Sequence, residues 1–546
     1  MVGLDSVGTV VSRFVRKVRT ASGAVAVQVV TKAHGEIVEL EHVGSAHTDA
    51  DLALLLRAAR ERLYRGQGEL DFGPLQEARV TIDDVADWTR APAAGLPLAA
   101  AAGPADGGGR RPLVAGGRVV GTASLLLWNV LAEAYDRLGF DVIGDEAFKD
   151  LVLGRIIEPT SKADTLRVLG DIGVEGPSLR TVFRALARCI DRDYRGSVAT
   201  ACLAHSAKTP AGQVSLVLYD CTTLYFEIEN EDQLRKVGMS KERRVDPQIQ
   251  IGLLVDAAGF PLEVHCFEGN KAETRTLIPV LQAFQERHGV HDMVVVADAG
   301  MLSAANLNAV EDAGFSFIVG SRISKAPYDL AEHFKRRGDY FADGQILESS
   351  RVMGTGKAAR TRRIVYQYSF KRRSRDDRAI NAMIDRAEKI TSGQAAMRKV
   401  RFLKVTGATK QIDQKLVDRA RQLAGLKGYV TNIALDTMTG AAVIAAYHDL
   451  WQVERSFRMA KTDLRARPVF HRQRDSIEAH LTIVFAALAI SRYLQEHTGI
   501  SIKKLVNTLR TVRSATINVN GELLTLDPEI PPPARELLIA LGHEGN

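Results

Sequence analysis

The sequence contains few cysteines, with only four among 546 residues. They stand far apart in the chain, at Cys189, Cys202, Cys221 and Cys266. No pair has the CxxC spacing that is typical of zinc sites and redox motifs. The sequence therefore indicates neither a disulfide framework nor a zinc site.

Long hydrophobic runs are also missing. No uninterrupted apolar stretch approaches the roughly 18 residues that a membrane span needs. The strongest candidate, LTIVFAALAI at 481–490, has the length of a core helix segment. The N-terminus, MVGLDSVGTVVSRFVRK, lacks the basic-then-apolar order of a signal peptide. These absences predict a soluble cytoplasmic protein with no membrane partner.

The positive charge is concentrated in one block. The whole chain carries a net charge of +7. Residues 321–420 contain 24 Lys and Arg against 11 Asp and Glu, a local charge of +13, which leaves −6 for the remainder. Such clustering favours a polyanionic partner, in the first place a nucleic acid. The alternative is a solvated surface with excess lysines and arginines.

The length predicts two to four domains, because a single core rarely serves so long a chain. Alternating apolar and polar positions followed by a helix at 48–63 predict a small α+β domain over residues 1–90. Residues 91–112 are rich in Ala, Gly and Pro and indicate a linker or loop. Residues 113–206 contain amphipathic helical segments, of which two could form a helix-turn-helix or belong to an ordinary bundle.

The next region alternates strands and helices in the order β-β-β-α-β-α-β, which predicts an α/β sheet over residues 207–320. By analogy, this succession is that of the ribonuclease-H fold. The basic block, residues 321–425, interrupts it as an insertion. Residues 426–500 are predicted to form a strand that returns to the sheet, a helix over 440–462 and another helix over 476–497. Residues 501–546 form a C-terminal tail, which could serve dimerisation.

Two aspartates are candidate metal ligands. Asp220 and Asp298 each follow an apolar β-run, and in an open α/β sheet such strand ends border the ligand crevice. In the ribonuclease-H arrangement the first and fourth strands are neighbours, which would bring the two carboxylates together. Like charges at short range need a cation between them, and hard oxygen ligands suit Mg²⁺ or Mn²⁺. Alternatively, each aspartate caps a turn or helix.

The stretch YHDLWQVERSFRMAK at 447–461 adds a third carboxylate. At 100° per residue, Glu454 falls within about 60° of the line that carries Tyr447 and Trp451. A glutamate on an apolar face is costly unless a cation or metal meets it. The pattern therefore predicts that Glu454 faces inward beside the two aspartates. The alternative is a solvated Glu454 that pairs with Arg458 on the surface.

These residues resemble those of a bacterial insertion-sequence DDE transposase of the cut-and-paste group, which carries a Tyr–Arg–Glu–Lys signature. The spacing Y-x2-R-x3-E-x6-K corresponds to Tyr447, position 450, Glu454 and Lys461. The stretches YDCTTLYFE (219–227), GMSKERRVDPQIQIGLLVDAAGFPL (238–262) and ADAGMLSAANL (297–307) are also similar to one branch of this family. The resemblance covers about residues 142–493.

The resemblance implies that Asp220, Asp298 and Glu454 bind Mg²⁺, with Mn²⁺ as a substitute. It further implies DNA phosphate contacts by Tyr447 and Lys461, while Arg458 lies on the same predicted stripe. The family acts on terminal inverted repeats and target DNA, usually as a homodimer on paired ends, in the bacterial cytoplasm at the nucleoid. The insertion would be β-rich and basic, with candidate DNA-binding residues Arg360, Arg362, Arg363, Lys371, Arg372 and Arg373.

Two departures from the family pattern are visible. Leu450 stands where the signature has Arg, so that phosphate contact must be absent or come from elsewhere, for example from Arg458. Some relatives stack a flipped base on a tryptophan of the insertion, but the tryptophans here are Trp88, Trp128 and Trp451, and we expect Trp451 to anchor its helix in the core. Candidate substitutes for the base contact are Tyr340, Phe341, Tyr366 and Tyr368.

The fold class predicted is therefore α/β: a ribonuclease-H-like core with a basic β-rich insertion, preceded by a small α+β domain and a helical region. The predicted function is a transposase that cleaves the ends of an insertion sequence and transfers them to new DNA. Two alternatives remain open, a ribonuclease-H-like nuclease without strand transfer and a DNA-binding protein with a silent site.

Overall fold

The computed structural model describes most of the chain beyond residue 117 and three strands before it. The described residues are 11–19, 25–33, 36–46, 55, 118–208, 216–227, 230–238, 246–290, 293–298, 303–396, 399–406, 409–519 and 521–543. The chain divides into two compact units, residues 1–108 and 109–546, and each is described by itself. The predicted helix at 48–63 and linker at 91–112 lie outside the described residues, apart from Leu55.

The first unit contains a three-stranded antiparallel sheet. Its strands are β1 (Val11–Arg19), β2 (Val25–Ala33) and β3 (Glu36–Ala46), with β2 in the middle. Val27 and Val29 alternate on β2 and form the centre of a small core. The alternation of apolar and polar positions thus produces the predicted sheet.

The second unit contains the remaining elements. Its strands are β4 (Arg118–Ala123), β5 (Leu216–Tyr225), β6 (Gln248–Asp256), β7 (Pro261–Glu268), β8 (Val294–Ala297), β9 (Ser316–Ser321), β10 (Ile346–Met353), β11 (Arg360–Tyr368), β12 (Leu403–Thr406), β13 (Thr409–Ile412), β14 (Leu426–Thr431), β15 (Ser514–Val519) and β16 (Glu522–Leu526). Its α-helices are α1 (Leu125–Arg137), α2 (Glu146–Ile157), α3 (Lys162–Asp171), α4 (Leu179–Asp191), α5 (Tyr194–Ser206), α6 (Leu277–His288), α7 (Ala304–Asp312), α8 (Ala326–Asp329), α9 (Ala331–Arg337), α10 (Phe370–Thr391), α11 (Gln414–Gln422), α12 (Gly440–His448), α13 (Trp451–Thr462), α14 (Arg474–Thr498), α15 (Ile502–Arg510) and α16 (Pro532–Ala540).

An eight-stranded mixed sheet forms the centre of this unit, in the order β10-β11-β14-β9-β8-β5-β6-β7. β5, β6 and β7 form an antiparallel meander, while β5, β8 and β9 run parallel and are joined through α6 and α7. The predicted order β-β-β-α-β-α-β is confirmed, and the first and fourth strands of that series, β5 and β8, are neighbours. β6 is buried along its whole length, because the sheet is covered on both faces.

The helices α1–α5 pack together with the sheet rather than apart from it. α2 and α4 both lie against α14, and α14 also contacts α13 and β7. The apolar residues of α1–α5 and of the sheet belong to one continuous core. The described helices of the region 113–206 are therefore part of a helical bundle around α14.

α14 is the central helix of the second unit. Its 25 residues are apolar and long enough to cross a membrane by length and composition. However, 94% of its most apolar window is buried inside the protein. Its hydrophobicity thus follows from its position between the sheet and the helical bundle.

The basic insertion is not a separate β-rich domain. β10 and β11 extend the main sheet, where β11 pairs with β14. The rest is mainly helical, with the 22-residue α10 and the shorter α11 beside the hairpin β12–β13. Ile380, Phe402 and Val417 form a small core of their own there. The prediction of a β-rich insertion is wrong for this helical part.

The C-terminal residues predicted as a tail fold back onto the same unit. β15 pairs with β4, so that Ser514 lies opposite Ala123. α16 buries Ala534, Leu537 and Leu538 in the continuous core. Residues 501–543 therefore complete the second unit.

Candidate active site

Two aspartates lie at the same level on neighbouring parallel strands. The pairing of β5 with β8 joins Leu216 to Val294 and Leu218 to Val296. The same register continued by two residues places Asp220 opposite Asp298, at the strand spacing of roughly 4.8 Å. Asp298 directly follows β8, as predicted.

Asp220, in contrast, lies within its strand. β5 continues to Tyr225, and Asp220 pairs there with Leu253 of β6. The prediction that the strand ends before Asp220 is wrong, because the pairing with β6 holds the chain extended further. Side chains alternate along a strand, so Asp220, Thr222 and Leu224 share the face of β5 that α13 covers.

The predicted helix over 440–462 is two helices. α12 ends at His448 and α13 begins at Trp451. Between them the N–H of Leu450 donates to the carbonyl of Tyr447 at 3.3 Å, a tighter turn than an α-helix makes. The angular phase between Tyr447 and Glu454 is therefore not that of one continuous helix.

Glu454 does not lie on an apolar stripe. The buried face of α13 carries Val453, Phe457 and Ala460, at the i, i+4, i+7 positions of a helix. Glu454 lies beside that face and is exposed, so the prediction that it belongs to the apolar stripe is wrong. Among the described residues its carboxylate forms no ion pair with Arg458, which contradicts the alternative of a surface pair.

The three carboxylates nevertheless line one cavity. It has a volume of about 280 Å³. Its lining, called here the carboxylate cavity, consists of Tyr219, Asp220, Asp298, Lys427, Tyr447, His448, Leu450, Trp451 and Glu454. Separate parts of the sequence, near 220, 298, 427 and 450, thus meet at one point of the sheet.

Tyr447 and Lys461 each contact a residue of this region. The Tyr447 hydroxyl donates to Oδ1 of Asp298 at 2.9 Å, and its ring packs edge-on against Tyr429. The Lys461 ammonium donates to the Thr222 hydroxyl, two residues from Asp220. In this arrangement Tyr447 orients an aspartate, and the phosphate contacts proposed for both residues stay predictions. Arg458 is exposed on α13 and lies outside the cavity lining.

Lys427 is a cavity residue that the sequence analysis missed. It comes from β14, and its ammonium lies 4.3 Å from the centre of the Tyr447 ring. Burial lowers the pKa of Lys427 and the nearby Arg372 lowers it further, while the carboxylate of Asp298 raises it. Of the described residues that line the cavity, only Lys427 carries a lysine or arginine charge.

His448 and Trp451 form the other wall. Burial lowers the pKa of His448, and the cations Lys427 and Arg372 add to this, so the imidazole is neutral at pH 7. Trp451 is 51% exposed, and the Arg455 guanidinium lies 5.8 Å from its ring. The prediction that Trp451 anchors the helix in the core is therefore wrong.

The predicted DNA-binding residues of the insertion differ in what they contact. Arg362 has a fully buried side chain and pairs with Glu311 at 2.9 Å, so direct DNA contact by Arg362 is excluded in this structure. Arg360 pairs with Glu311 and Asp312, and Arg363 pairs with Glu348.

The three basic residues at the start of α10 are more accessible. Arg373 forms long contacts of 3.5 and 3.6 Å with Asp339 and Asp377. Lys371 is exposed, and Arg372 acts electrostatically on Lys427 at the cavity. DNA contact by these residues stays a prediction.

The aromatic residues considered for base stacking are mostly enclosed. Phe341, Tyr366 and Tyr368 have 3%, 0% and 1% of their surface exposed. They cannot stack on a flipped base without unfolding their surroundings, which contradicts that prediction. Tyr340 is 69% exposed and remains a candidate.

The donor set of the cavity suits a hard divalent cation. Asp220, Asp298 and Glu454 offer carboxylate oxygens, the ligands that Mg²⁺ and Mn²⁺ prefer. Among the described His, Cys, Asp and Glu side chains, no three lie close enough to hold an ion as they stand. A metal bound by all three carboxylates would therefore require their side chains to lie closer together than they do here.

Comparisons with known proteins agree with the site's position in the chain. The family model described as the transposase DDE domain matches residues 215–490, which contain all three carboxylates. No curated protein sequence matches the chain. Among solved structures, the chain is similar to the piggyBac transposase in a cryo-EM synaptic complex with hairpin DNA. The two are 10% identical with a TM-score of 0.35, over 71% of this chain and 79% of that one.

Proposed function

The chain belongs to the transposase DDE domain family, and we propose that it cleaves and joins DNA at the carboxylate cavity, with Asp220, Asp298 and Glu454 as ligands of a divalent metal. The observation that carries this proposal is the meeting of three carboxylates from β5, β8 and α13 at one cavity. Family membership supports DNA transposition as the general activity. Cut-and-paste chemistry on the ends of an insertion sequence, by a homodimer on paired ends, belongs to the proposal.

The metal, Mg²⁺ or Mn²⁺ in this proposal, would activate a hydroxyl for attack on a phosphodiester and stabilise the leaving oxygen. The chain's own groups prepare the site. The hydrogen bond from Tyr447 fixes the carboxylate of Asp298, and the β5–β8 register fixes Asp220 at the same level. A phosphodiester that enters the cavity would meet Lys427, whose charge offsets the negative charge that builds up during displacement.

The same cavity would serve cleavage by water and then strand transfer by the freed 3′-hydroxyl. Both are in-line displacements at phosphorus, so one arrangement of carboxylates and Lys427 is sufficient for both steps. The site thus accounts for a transposase with a single active centre in each chain.

The test is nicking and strand transfer of the element's own end DNA in Mg²⁺. Wild type is compared with Glu454→Gln, and with Glu286→Gln as a control, because Glu286 is an exposed helical glutamate of α6. We expect Glu454→Gln to bind DNA normally and to lose both reactions, while the control retains both. Equal activity of wild type and Glu454→Gln would refute the assignment of Glu454. Cleavage without strand transfer in wild type would identify a nuclease instead.

A further inference from the structure

Away from the carboxylate cavity, two basic side chains are buried together. Arg155 near the end of α2 and Lys162 at the start of α3 are 7% and 8% exposed. His480 of α14 is buried beside them, and the ring of His471 lies 5.6 Å from that of His480, centre to centre. We call these four residues the cationic pocket.

The hydrogen bonds of His480 define the state of Lys162. Nε2 of His480 lies 3.2 Å from the carbonyl oxygen of Ala466, which can only accept, so Nε2 carries the proton. Nδ1 of His480 then accepts a hydrogen bond from the amino group of Lys162 at 2.7 Å. The remaining N–H protons of Lys162 can serve another acceptor.

Arg155 has no partner in the structure as described. Its guanidinium forms no hydrogen bond and no ion pair with a described residue. Unlike Arg362, it has no unpaired nitrogen that is fully enclosed, so the Arg155 nitrogens remain in reach of a ligand from solvent. Burial lowers the pKa of Arg155 to about 10, so it remains charged at neutral pH. A buried charge without a counter-charge is strongly unfavourable.

No carboxylate offsets these charges from the described side. Burial lowers the pKa of His471 to about 4, and the charges that add to this shift are those of Lys162 and Arg155. Burial lowers the pKa of Lys162 well below its usual value, and Arg155 lowers it further, so the charged form of this lysine is disfavoured. Among the described residues the pocket therefore lacks an anion, and the charge that it holds is that of Arg155.

The segment that covers the pocket is itself basic. Residues 465–474, RARPVFHRQR, follow α13 and are called here the arginine loop; its basic residues besides His471 are Arg465, Arg467, Arg472 and Arg474. Phe470 at its tip is 75% exposed. Arg465 has a φ of 44°, a left-handed backbone conformation that residues other than glycine rarely adopt. Exposed aromatic and arginine side chains together are typical of single-stranded or distorted nucleic acid contacts.

The arginine loop is attached to the strand that carries Asp220. The N–H of Val469 donates to the carbonyl of Tyr225 at 3.2 Å, and the Arg467 guanidinium lies 5.3 Å from the Tyr225 ring. Tyr225 is five residues beyond Asp220 on β5, a distance of roughly 16 Å along a strand. DNA held at the carboxylate cavity would pass this loop within a few nucleotides.

We propose that Arg155, with Lys162 beside it as a hydrogen-bond donor, binds one backbone phosphate of the substrate DNA, a few nucleotides from the cleaved bond, beneath the arginine loop. The proposal rests on the proposed function only for the identity of the DNA. The ligand chemistry, a phosphate group, follows from the uncompensated guanidinium of Arg155 and the neighbouring donor. Phe470 would stack against the nucleotide that carries this phosphate.

The first test is a scan of end DNA in which single phosphates are replaced by neutral methylphosphonates. Binding is measured with Glu454→Gln as the parent protein, so that no cleavage occurs. We expect one substituted position to weaken binding about tenfold in the parent, and to have no effect in Arg155→Met or Lys162→Gln. Arg155→Met, which removes the charged partner of the phosphate, should also show a salt dependence lower by about 0.9. Arg535→Met, an exposed arginine of α16, is the control and should keep the parent pattern.

The second test separates a ligand site from a structural arginine. In phosphate-free buffer we expect Arg155→Met to melt no lower than wild type, because an apolar side chain replaces an uncompensated charge. Inorganic phosphate should raise the melting temperature of wild type and not that of the variant.

Three results would overturn the proposal. One is an unchanged methylphosphonate pattern in both Arg155→Met and Lys162→Gln. Another is a lower melting temperature of Arg155→Met together with no response of wild type to phosphate, which would make the arginine structural. A response to inorganic phosphate without any sensitive position in the DNA would assign the pocket to a free anion. Loss of the proposed function itself would be seen separately, as cleavage that does not depend on Glu454.

Discussion

The arginines of β11 and the buried Arg155 differ in the partners they have. On β11, Arg360, Arg362 and Arg363 are all paired with carboxylates of the same chain. Below the arginine loop, Arg155 has no carboxylate partner among the described residues. The β11 arginines neutralise their partners and stabilise the fold, while Arg155 retains its charge for a ligand.

This difference shows that the density of basic residues does not predict where DNA binds. The insertion carries the largest local charge, yet its most clustered arginines hold β11 to α7 and β10. The arginine loop belongs to a part of the chain whose overall charge is negative. Pairing within the fold, and not the count of charges, decides which cations remain available.

The largest effect expected concerns stability. Arg362→Met should lower the free energy of unfolding by roughly 3 kcal/mol, because it leaves Glu311 with only the partly exposed Arg360 as a partner. DNA affinity of the folded variant should not change. Denaturant unfolding measures the free energy of unfolding, and a binding titration measures the DNA affinity. Arg360→Met serves as the milder control. An Arg362→Met variant that keeps its free energy of unfolding but binds DNA more weakly would show that Arg362 serves DNA binding and not stability.

The next effect concerns the carboxylate cavity. Lys427→Met should slow single-turnover cleavage about 100-fold, the cost typical of losing one preorganised donor to a developing negative charge. DNA affinity should fall much less, because most contacts lie outside the cavity. Lys504→Met, an exposed lysine of α15, serves as the control, and Lys427→Arg should recover part of the rate. An unchanged rate in Lys427→Met would show that the charge acts only on Tyr447.

A smaller effect is expected at the tip of the arginine loop. Phe470→Ala should weaken binding of end DNA about tenfold, since stacking on one base contributes about 1–3 kcal/mol. Phe470→Tyr keeps the ring and should bind as wild type does. Because stacking carries no charge, the slope of affinity against salt should be unchanged in both. A changed slope in Phe470→Ala would instead indicate that the loop had moved.

The smallest effect is expected for an exposed ion pair in the insertion. Arg336 and Glu332 on α9 are 78% and 85% exposed and 3.4 Å apart. Arg336→Gln should leave the free energy of unfolding within about 0.5 kcal/mol of wild type. Its DNA affinity tests whether an insertion arginine without a buried partner behaves like those of the arginine loop. A loss of affinity equal to that of Arg472→Gln would make pairing, and not location, the deciding factor.

The order of the core elements could be predicted because each strand is locally distinct. The run VVVA in β8 is apolar throughout, and this pattern is typical of a strand that is covered on both faces of its sheet. The approach of Asp220 to Asp298 followed from that order. The extent of β5 beyond Asp220 did not, because it depends on pairing with β6.

The failed predictions depend on contacts between distant residues. The stripe through Glu454 assumed one unbroken helix, and the turn at Leu450 changes the phase. Lys427 enters the cavity only because β14 returns, after more than a hundred residues, to pair with β9. The pairing of Arg362 with Glu311 joins positions 51 apart. No local pattern contains these partners, although a lysine directly before the apolar stretch GYV was a visible candidate.

The position of β10 and β11 in the main sheet has a mechanical consequence. An unbroken ladder of backbone hydrogen bonds runs from β10 through β14 to β8 and β5, so the insertion's strands cannot swing independently of the aspartates. The helices between Phe370 and Gln422, by contrast, leave and re-enter the sheet through only two chain connections. This segment also contacts the strands it joins, because the N–H of Gly425 donates to Asp376 of α10 at 3.1 Å and Arg372 acts on Lys427. Any movement of α10 would therefore be transmitted directly to the strand that carries Lys427.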